Sequence, residues 1–163
     1  MNKHSFDLLK LLHDLVGSDC KIRKWQDLEQ LVVDCCRKQD PKARHNTETD
    51  PDVSLTNGFG IEAKSTTSLT RSINLNSAAP DPKTFYAVVY HAGQRIKNVA
   101  LVSGELLYCP EIADIKKTNT GLRPLSNKIL KYRTRIMWQM QSPFETWGKG
   151  SFVADKNGQI HRY

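Results

Sequence analysis

The chain has 163 residues and a formal net charge of +7, from 24 Lys and Arg against 17 Asp and Glu. That length lets a single domain, residues 1–163, bury a core without disulfides, and the basic excess points to a polyanionic partner. Asp7, Lys10 and Asp14 interrupt the N-terminal apolar run, which argues against a signal peptide, and no stretch approaches the ~20 apolar residues of a membrane span. Cys20, Cys35, Cys36 and Cys109 form no CxxC pair, so they read as buried, reduced thiols of a cytoplasmic protein with no membrane association.

Taken in chain order, residues 5–16 are predicted as an amphipathic helix whose stripe holds Phe6, Leu8, Leu9, Leu11, Leu12, Leu15 and Val16, with Gly17 as its stop. Residues 25–38 are predicted as a second helix that ends before Pro41. Its apolar side carries Trp25, Leu28, Val32, Val33, Cys35 and Cys36, and Glu29 falls in the middle of that side. A carboxylate aimed at a core needs a partner or a metal; otherwise Glu29 sits at the stripe's edge, reaching solvent or an Arg. Residues 39–50 read as a polar connector containing His45, Asn46 and Thr47.

Two β-like runs follow, Val53 to Leu55 and Gly60 to Thr66, around an Asn57-Gly58 step that signals a hairpin. Alternation sets Glu62 and Lys64 on one face of the second run and Ile61 and Ala63 on the other. Asp52 enters at the base of the first. Residues 66–84 are polar, with a short strand at Ile73 to Leu75. Strands are predicted over 85–90 and 98–102, joined through Gly93 as sheet neighbours, the second ending at Ser103-Gly104. A short helix is predicted over 111–117, while 124–140 stays open between helix and irregular structure. Phe152 to Ala154 and Gln159 to His161 flank Asn157-Gly158, a second hairpin.

Asp52, Glu62 and Lys64 carry the chemistry. Two carboxylates and an ammonium on one sheet face make a site for a hard divalent cation and a phosphate, the equipment for cutting a phosphodiester. The plain alternative is an ordinary surface hairpin with a Glu–Lys pair. Asp50 competes with Asp52 for the first acid; Asp52 is preferred because it follows Pro51 and opens the strand. His13, His45, His91 and His161 lack a ligand spacing and read as structural or exposed.

Pro51-Asp52 followed by Glu62-Ala63-Lys64 resembles the PD-(D/E)xK nuclease signature, and the chain looks like a small type II restriction endonuclease of that superfamily. The likeness is sharpest over residues 50–77. It implies an α/β (α+β) fold with a restriction-endonuclease-like core, in which a mixed central β-sheet is flanked by helices, ending here in the C-terminal β-hairpin. It implies Mg2+ as cofactor, with Mn2+ as a substitute and Ca2+ supporting binding without cleavage. Asp52 would be the bridging ligand, Glu62 the second, and the backbone carbonyl of Ala63 the third. Lys64 would orient the attacking water and the scissile phosphate. Glu29 matches the acid that the first core helix of such nucleases often carries toward the catalytic sheet.

The implied substrate is double-stranded DNA, cut at a specific sequence. In the resembled enzymes the segment past the catalytic strand often enters the DNA groove. Here it holds Arg71, Asn74, Asn76 and Ser77, types that read base edges, though a polar loop bonding its own backbone has the same composition. Lys116, Lys117, Arg123, Lys128, Lys131, Arg133 and Arg135 lie in a stretch with no acid between Asp114 and Glu145, suited to tracking phosphates. A palindromic target implies a homodimer, and a host that must protect its own DNA implies a cognate methyltransferase as genetic partner. The alternatives are a structure-selective nuclease such as a Holliday junction resolvase, and a DNA-binding module that cuts nothing.

Overall fold

A computed structural model describes residues 9–10, 13–17, 23–48, 51–75, 80–108, 123–124, 130–133 and 137–163, giving backbone alone at 123–124, 130–133 and 137. In chain order the elements are α1 (Trp25–Gln39), β1 (Arg44–His45), β2 (Val53–Ser54), β3 (Gly60–Thr66), β4 (Ile73–Asn74), β5 (Thr84–Ala92) and β6 (Arg95–Ser103). They continue with α2 (Gly104–Leu107), β7 (Arg123–Pro124), β8 (Leu130–Arg133), β9 (Met137–Met140), α3 (Pro143–Trp147), β10 (Phe152–Ala154) and β11 (Ile160–Arg162). The class is mixed α+β, with a core made mostly of sheet and few helices.

Helix α1 forms because Leu28, Val32, Val33, Cys35 and Cys36 recur on one side and are all buried. Its start is closed by the Asp27 carboxylate, which accepts from the backbone N–H of Arg23 at 2.9 Å and of Lys24 at 3.2 Å. Its last turn carries Arg37 and Lys38, which suit the negative end of the helix dipole. Trp25 departs from the expected stripe: it is 62% exposed, because the first turn of the helix borders an open cleft rather than the core.

Seven strands make the main sheet, in the order β1-β2-β3-β5-β6-β10-β11. β2 and β3 pair antiparallel, as do β5 and β6, whereas β3 runs parallel to β5 and β10 parallel to β6. The sheet is therefore mixed, as expected. The β2–β3 turn closes with Leu55 N–H on Phe59 O at 2.8 Å and Phe59 N–H on Asn57 Oδ1 at 3.0 Å, with Gly58 at φ 87. The C-terminal hairpin β10–β11 also forms as expected and is not a free appendage, since β10 joins the sheet against β6.

Alternation along β5 and β6 sends Ala87, Val89, Val99 and Leu101 to the side packed by α1, together with Ile61 and Ala63. The opposite side takes Tyr86, Val88, Ala100 and Val102. Among the described residues its cover comes from Ile73, Trp138, Met140 and Phe144, contributed by β4, β9 and α3. Strands β4, β9, β8 and β7 make a second sheet of four strands. The expectation for 124–140 is corrected accordingly: 130–133 and 137–140 are strands, with Trp138 and Met140 buried and Gln139 between them less so. The connector after α1 likewise contains β1, paired with β2 through Arg44–Ser54 and His45–Val53.

Leu9 and Leu15 are buried, and half of the helix expected over 5–16 lies outside the described residues, as do the 111–117 helix, Cys20 and Cys109. Cys35 and Cys36 are free and buried, and burial pushes the Cys36 thiol up to about 12. No helix among the described residues is long and apolar enough to cross a membrane.

Candidate functional site

The site is built where β2 stops short. β2 pairs with β3 only at Val53–Ile61 and Ser54–Gly60. The chain enters β2 through Pro51, which packs directly on Gly60: a Cβ there would overlap Pro51 Cγ and lie 2.8 Å from its Cβ. Gly60 is thus required by close approach. One residue on, Asp52 is buried and its Oδ2 accepts the backbone N–H of Ala63 at 2.8 Å. The carboxylate takes the place that a longer β2 would have filled with backbone. In an extended strand the N–H and C=O of one residue point to the same side, so the Ala63 carbonyl faces the same gap.

Glu62 and Lys64 share the other face of β3, as alternation requires. Lys64 Nζ donates to Glu62 Oε1 at 2.7 Å, with both side chains largely buried. Glu62 Oε2 accepts the backbone N–H of Asp52 at 3.3 Å. Asp52 and Glu62 therefore cross-brace each other's strands, each carboxylate accepting from backbone beside the other.

Glu29 completes the group. It does not turn to solvent or to an Arg: its side chain is 12% exposed and its Oε2 lies 3.3 Å from His45 Nε2. Its charge also acts on the Asp52 carboxyl. The Asp52 carboxyl is pushed up to about 6, first by burial and further by the Glu29 charge, against the lowering effects of the Ala63 N–H and Lys64.

These groups line one cleft of about 490 Å³. Trp25, Leu28 and Glu29 reach it from α1, Asn46 to Glu48 from the segment after β1, Asp52 from the residue before β2, Glu62, Ala63, Lys64 and Ser65 from β3, and Asn74 from β4. Asn74 is exposed and its Oδ1 accepts from Gln139 Nε2 at 2.9 Å, across the β4–β9 pair. Arg71 is exposed but does not line the cleft; its backbone N–H bonds Ser68 Oγ at 3.1 Å. Asp50, Asn76, Ser77, Lys116, Lys117, Lys128 and Arg135 lie outside the described residues. Lys131 and Arg133 are placed by backbone in β8, Lys131 opposite Gln139, and Arg123 lies in β7.

Two contributors escape a reading of the sequence. Asn46 grips the entry to β2: its backbone N–H bonds Asp52 O at 2.8 Å, and its Nδ2 donates to Pro51 O at 2.7 Å and Ser54 Oγ at 2.8 Å. Gln139 fixes the amide of Asn74. Neither carries a local signal, since each acts across a strand pair that the sequence does not announce. The other described histidines have structural partners. His13 bonds Ser151 Oγ at 2.9 Å and stacks on Tyr163, His161 meets Asp155 at 2.8 Å, and His91 Nδ1 lies 3.2 Å from Gly93 O.

Among the described residues no group of three or more His, Cys, Asp or Glu side chains is disposed to hold a metal ion. The donor set does fit Mg2+, which takes hard oxygens, is commonly held by one or two carboxylates and keeps several waters. Asp52, Glu62 and the Ala63 carbonyl are all hard oxygen donors of the kind this ion takes. No protein-family model matches the chain, and searches of curated proteins and of solved structures return no match.

Proposed function

We propose that this chain is a Mg2+-dependent deoxyribonuclease of the PD-(D/E)xK type, with a restriction-endonuclease-like core, that hydrolyses double-stranded DNA at a defined sequence as a type II restriction endonuclease. The observation that carries the reading is the convergence of Asp52, Glu62, the Ala63 backbone and Lys64 on one cleft at the end of a two-residue strand. A surface hairpin with an incidental Glu–Lys pair has no reason to bury both acids, and here Asp52 is 8% and Glu62 5% exposed.

Burying Asp52 beside the Glu29 charge is unfavourable for the ionised pair. A divalent cation relieves that cost, so the apo cleft is a place where one is welcome. Asp52, Glu62 and the Ala63 carbonyl would hold it, and when bound it supplies an acidified water and charge to offset the phosphorane-like transition state. Lys64 contributes a positive charge beside that position. Held by Glu62, it orients the water and the non-bridging phosphate oxygen without a search through rotamers. The basic net charge supplies long-range attraction for the duplex, and Asn74, which lines the cleft with its amide held by Gln139, offers hydrogen bonding to base edges. A symmetric target calls for a homodimer, and a methyltransferase of the same specificity is the matching genetic partner.

Digestion of a sequenced plasmid with Mg2+ tests this directly. Discrete fragments whose ends map to one short sequence are expected, with Mn2+ substituting and Ca2+ supporting binding alone. Cleavage restricted to four-way junctions would assign a resolvase instead, and binding without cleavage under any divalent ion would assign a regulatory module.

A further inference from the structure

The chain between α1 and β2 approaches both acids at once. It carries His45 and Asn46, consecutive residues with opposite duties. His45 lies in β1, and its Nε2 reaches Glu29 Oε2 at 3.3 Å. A carboxylate only accepts, so the bond exists when Nε2 carries the hydrogen. Asn46 follows, and its three bonds all end on the short segment that bears Asp52: Asp52 O, Pro51 O and Ser54 Oγ. Glu29 comes from a helix and Asp52 from a strand, and α1 meets β2 through few residues. Something must hold the two carboxyls in register.

We propose that His45 and Asn46 are positioning residues of the candidate metal cleft: His45 fixes the Glu29 carboxylate against Asp52, and Asn46 fixes the Pro51-Asp52 step against β3. This rests on the reading of the cleft as a divalent-cation site. One strap two residues long therefore sets the spacing of the helix-borne and strand-borne acids. The partition is specific. His45 has no bond to the Asp52 segment beyond its ladder position opposite Val53, whereas the Asn46 side chain bonds that segment on both sides of Asp52. Outer partners of this kind orient the groups that hold a metal, and their loss typically weakens metal binding or activity about 10–100-fold.

Mn2+ binding to the full chain, followed by the loss of the free-ion EPR signal without DNA present, reads the effect independently of cleavage. His45→Ala is expected to weaken Mn2+ binding by about tenfold or more. His45→Gln, whose amide can donate from nearly the same place as Nε2, is expected to recover most of that loss. The melting temperature of metal-free His45→Ala should stay within about 4 °C of wild type. Asn46→Asp, equal in size but lacking the amide donor, is expected to weaken Mn2+ binding as well. Wild-type affinity in His45→Ala or in Asn46→Asp, or no recovery in His45→Gln, overturns the proposal. Absence of Mn2+ binding in the wild type overturns the nuclease reading itself, and this inference with it. Normal Mn2+ binding together with plasmid cleavage in both wild type and His45→Ala removes the positioning role alone.

Discussion

Asp52→Asn should make the metal-free protein more stable while removing its metal site. The Asp52 carboxyl is raised from 3.8 to about 6, chiefly because it is buried and then because Glu29 faces it. At about 1.36 kcal/mol per pKa unit, ionising it in the folded state costs roughly 3 kcal/mol relative to the unfolded chain. Between those two values the folded protein keeps a proton that the unfolded chain has lost. This contribution is therefore fully favourable below pH ~3.8 and is lost as the pH rises to and through about 6. Asparagine carries no charge to desolvate. Its Oδ1 accepts from Ala63 as the aspartate does, and its amide donates to Glu29. In EDTA above about pH 7, Asp52→Asn is expected to melt some 6–12 °C above wild type, taking 2–4 °C per kcal/mol for a chain of this length. The gap should close as the pH falls toward 4. Mg2+ at about 1,000 times its dissociation constant should reverse the order at high pH, since it then adds about 4.1 kcal/mol to the wild type alone, more than the roughly 3 kcal/mol that separates the two proteins. Calorimetric melting of both proteins across that pH range is the assay. A variant no more stable than wild type at high pH, or a gap independent of pH, would refute the idea that Asp52 is held at an electrostatic cost.

Three further outcomes are expected. Gly60→Ala pushes Pro51 off β3 and should cost about 1–3 kcal/mol by overpacking, with loss of cleavage because Asp52 follows Pro51; full activity would show that the Pro51–Gly60 contact does not set the site. Gly104→Ala drives a Cβ into the Asp81 carbonyl and to 2.5 Å from Thr84 O. It should lower the urea midpoint sharply yet leave the activity of each folded molecule unchanged, because that contact lies outside the cleft. Lys64→Ala should abolish cutting and keep specific binding in Ca2+, with log affinity falling by about 0.9 per phosphate contact against log salt; joint loss of binding and folding would make the lysine structural.

The parts of the fold that are legible in the sequence are those whose signals are local. Asn57-Gly58 and Asn157-Gly158 each mark a turn between short β-like runs, so both hairpins follow from short-range pattern, as does the pairing of the strands expected over 85–90 and 98–102, which extend to 84–92 and 95–103. The face shared by Glu62 and Lys64 follows from the same period of two. What hides is what depends on distant partners. β1 is two residues long and exists only because β2 lies beside it. Leu130–Arg133 mixes basic and apolar residues and Met137–Met140 has a single polar residue, each run too brief to declare a period; they become strands by pairing with each other, and the second also with β4. Trp25 sits on the helix face the periodicity assigns to the core, but the core ends one turn later at Leu28. The helical phase of Glu29 likewise shows that it points inward; only the tertiary structure supplies His45 and Asp52 as the groups it meets.

The most direct test of the central claim is the conversion of supercoiled plasmid by purified protein in Mg2+, run beside EDTA and beside Glu62→Gln and Lys64→Ala. The expected result is nicked and linear DNA from the wild type with Mg2+, and none from the EDTA control or from either variant. Cutting that persists in EDTA, or that Glu62→Gln and Lys64→Ala retain, would contradict the assignment of this cleft as the place where the phosphodiester is broken.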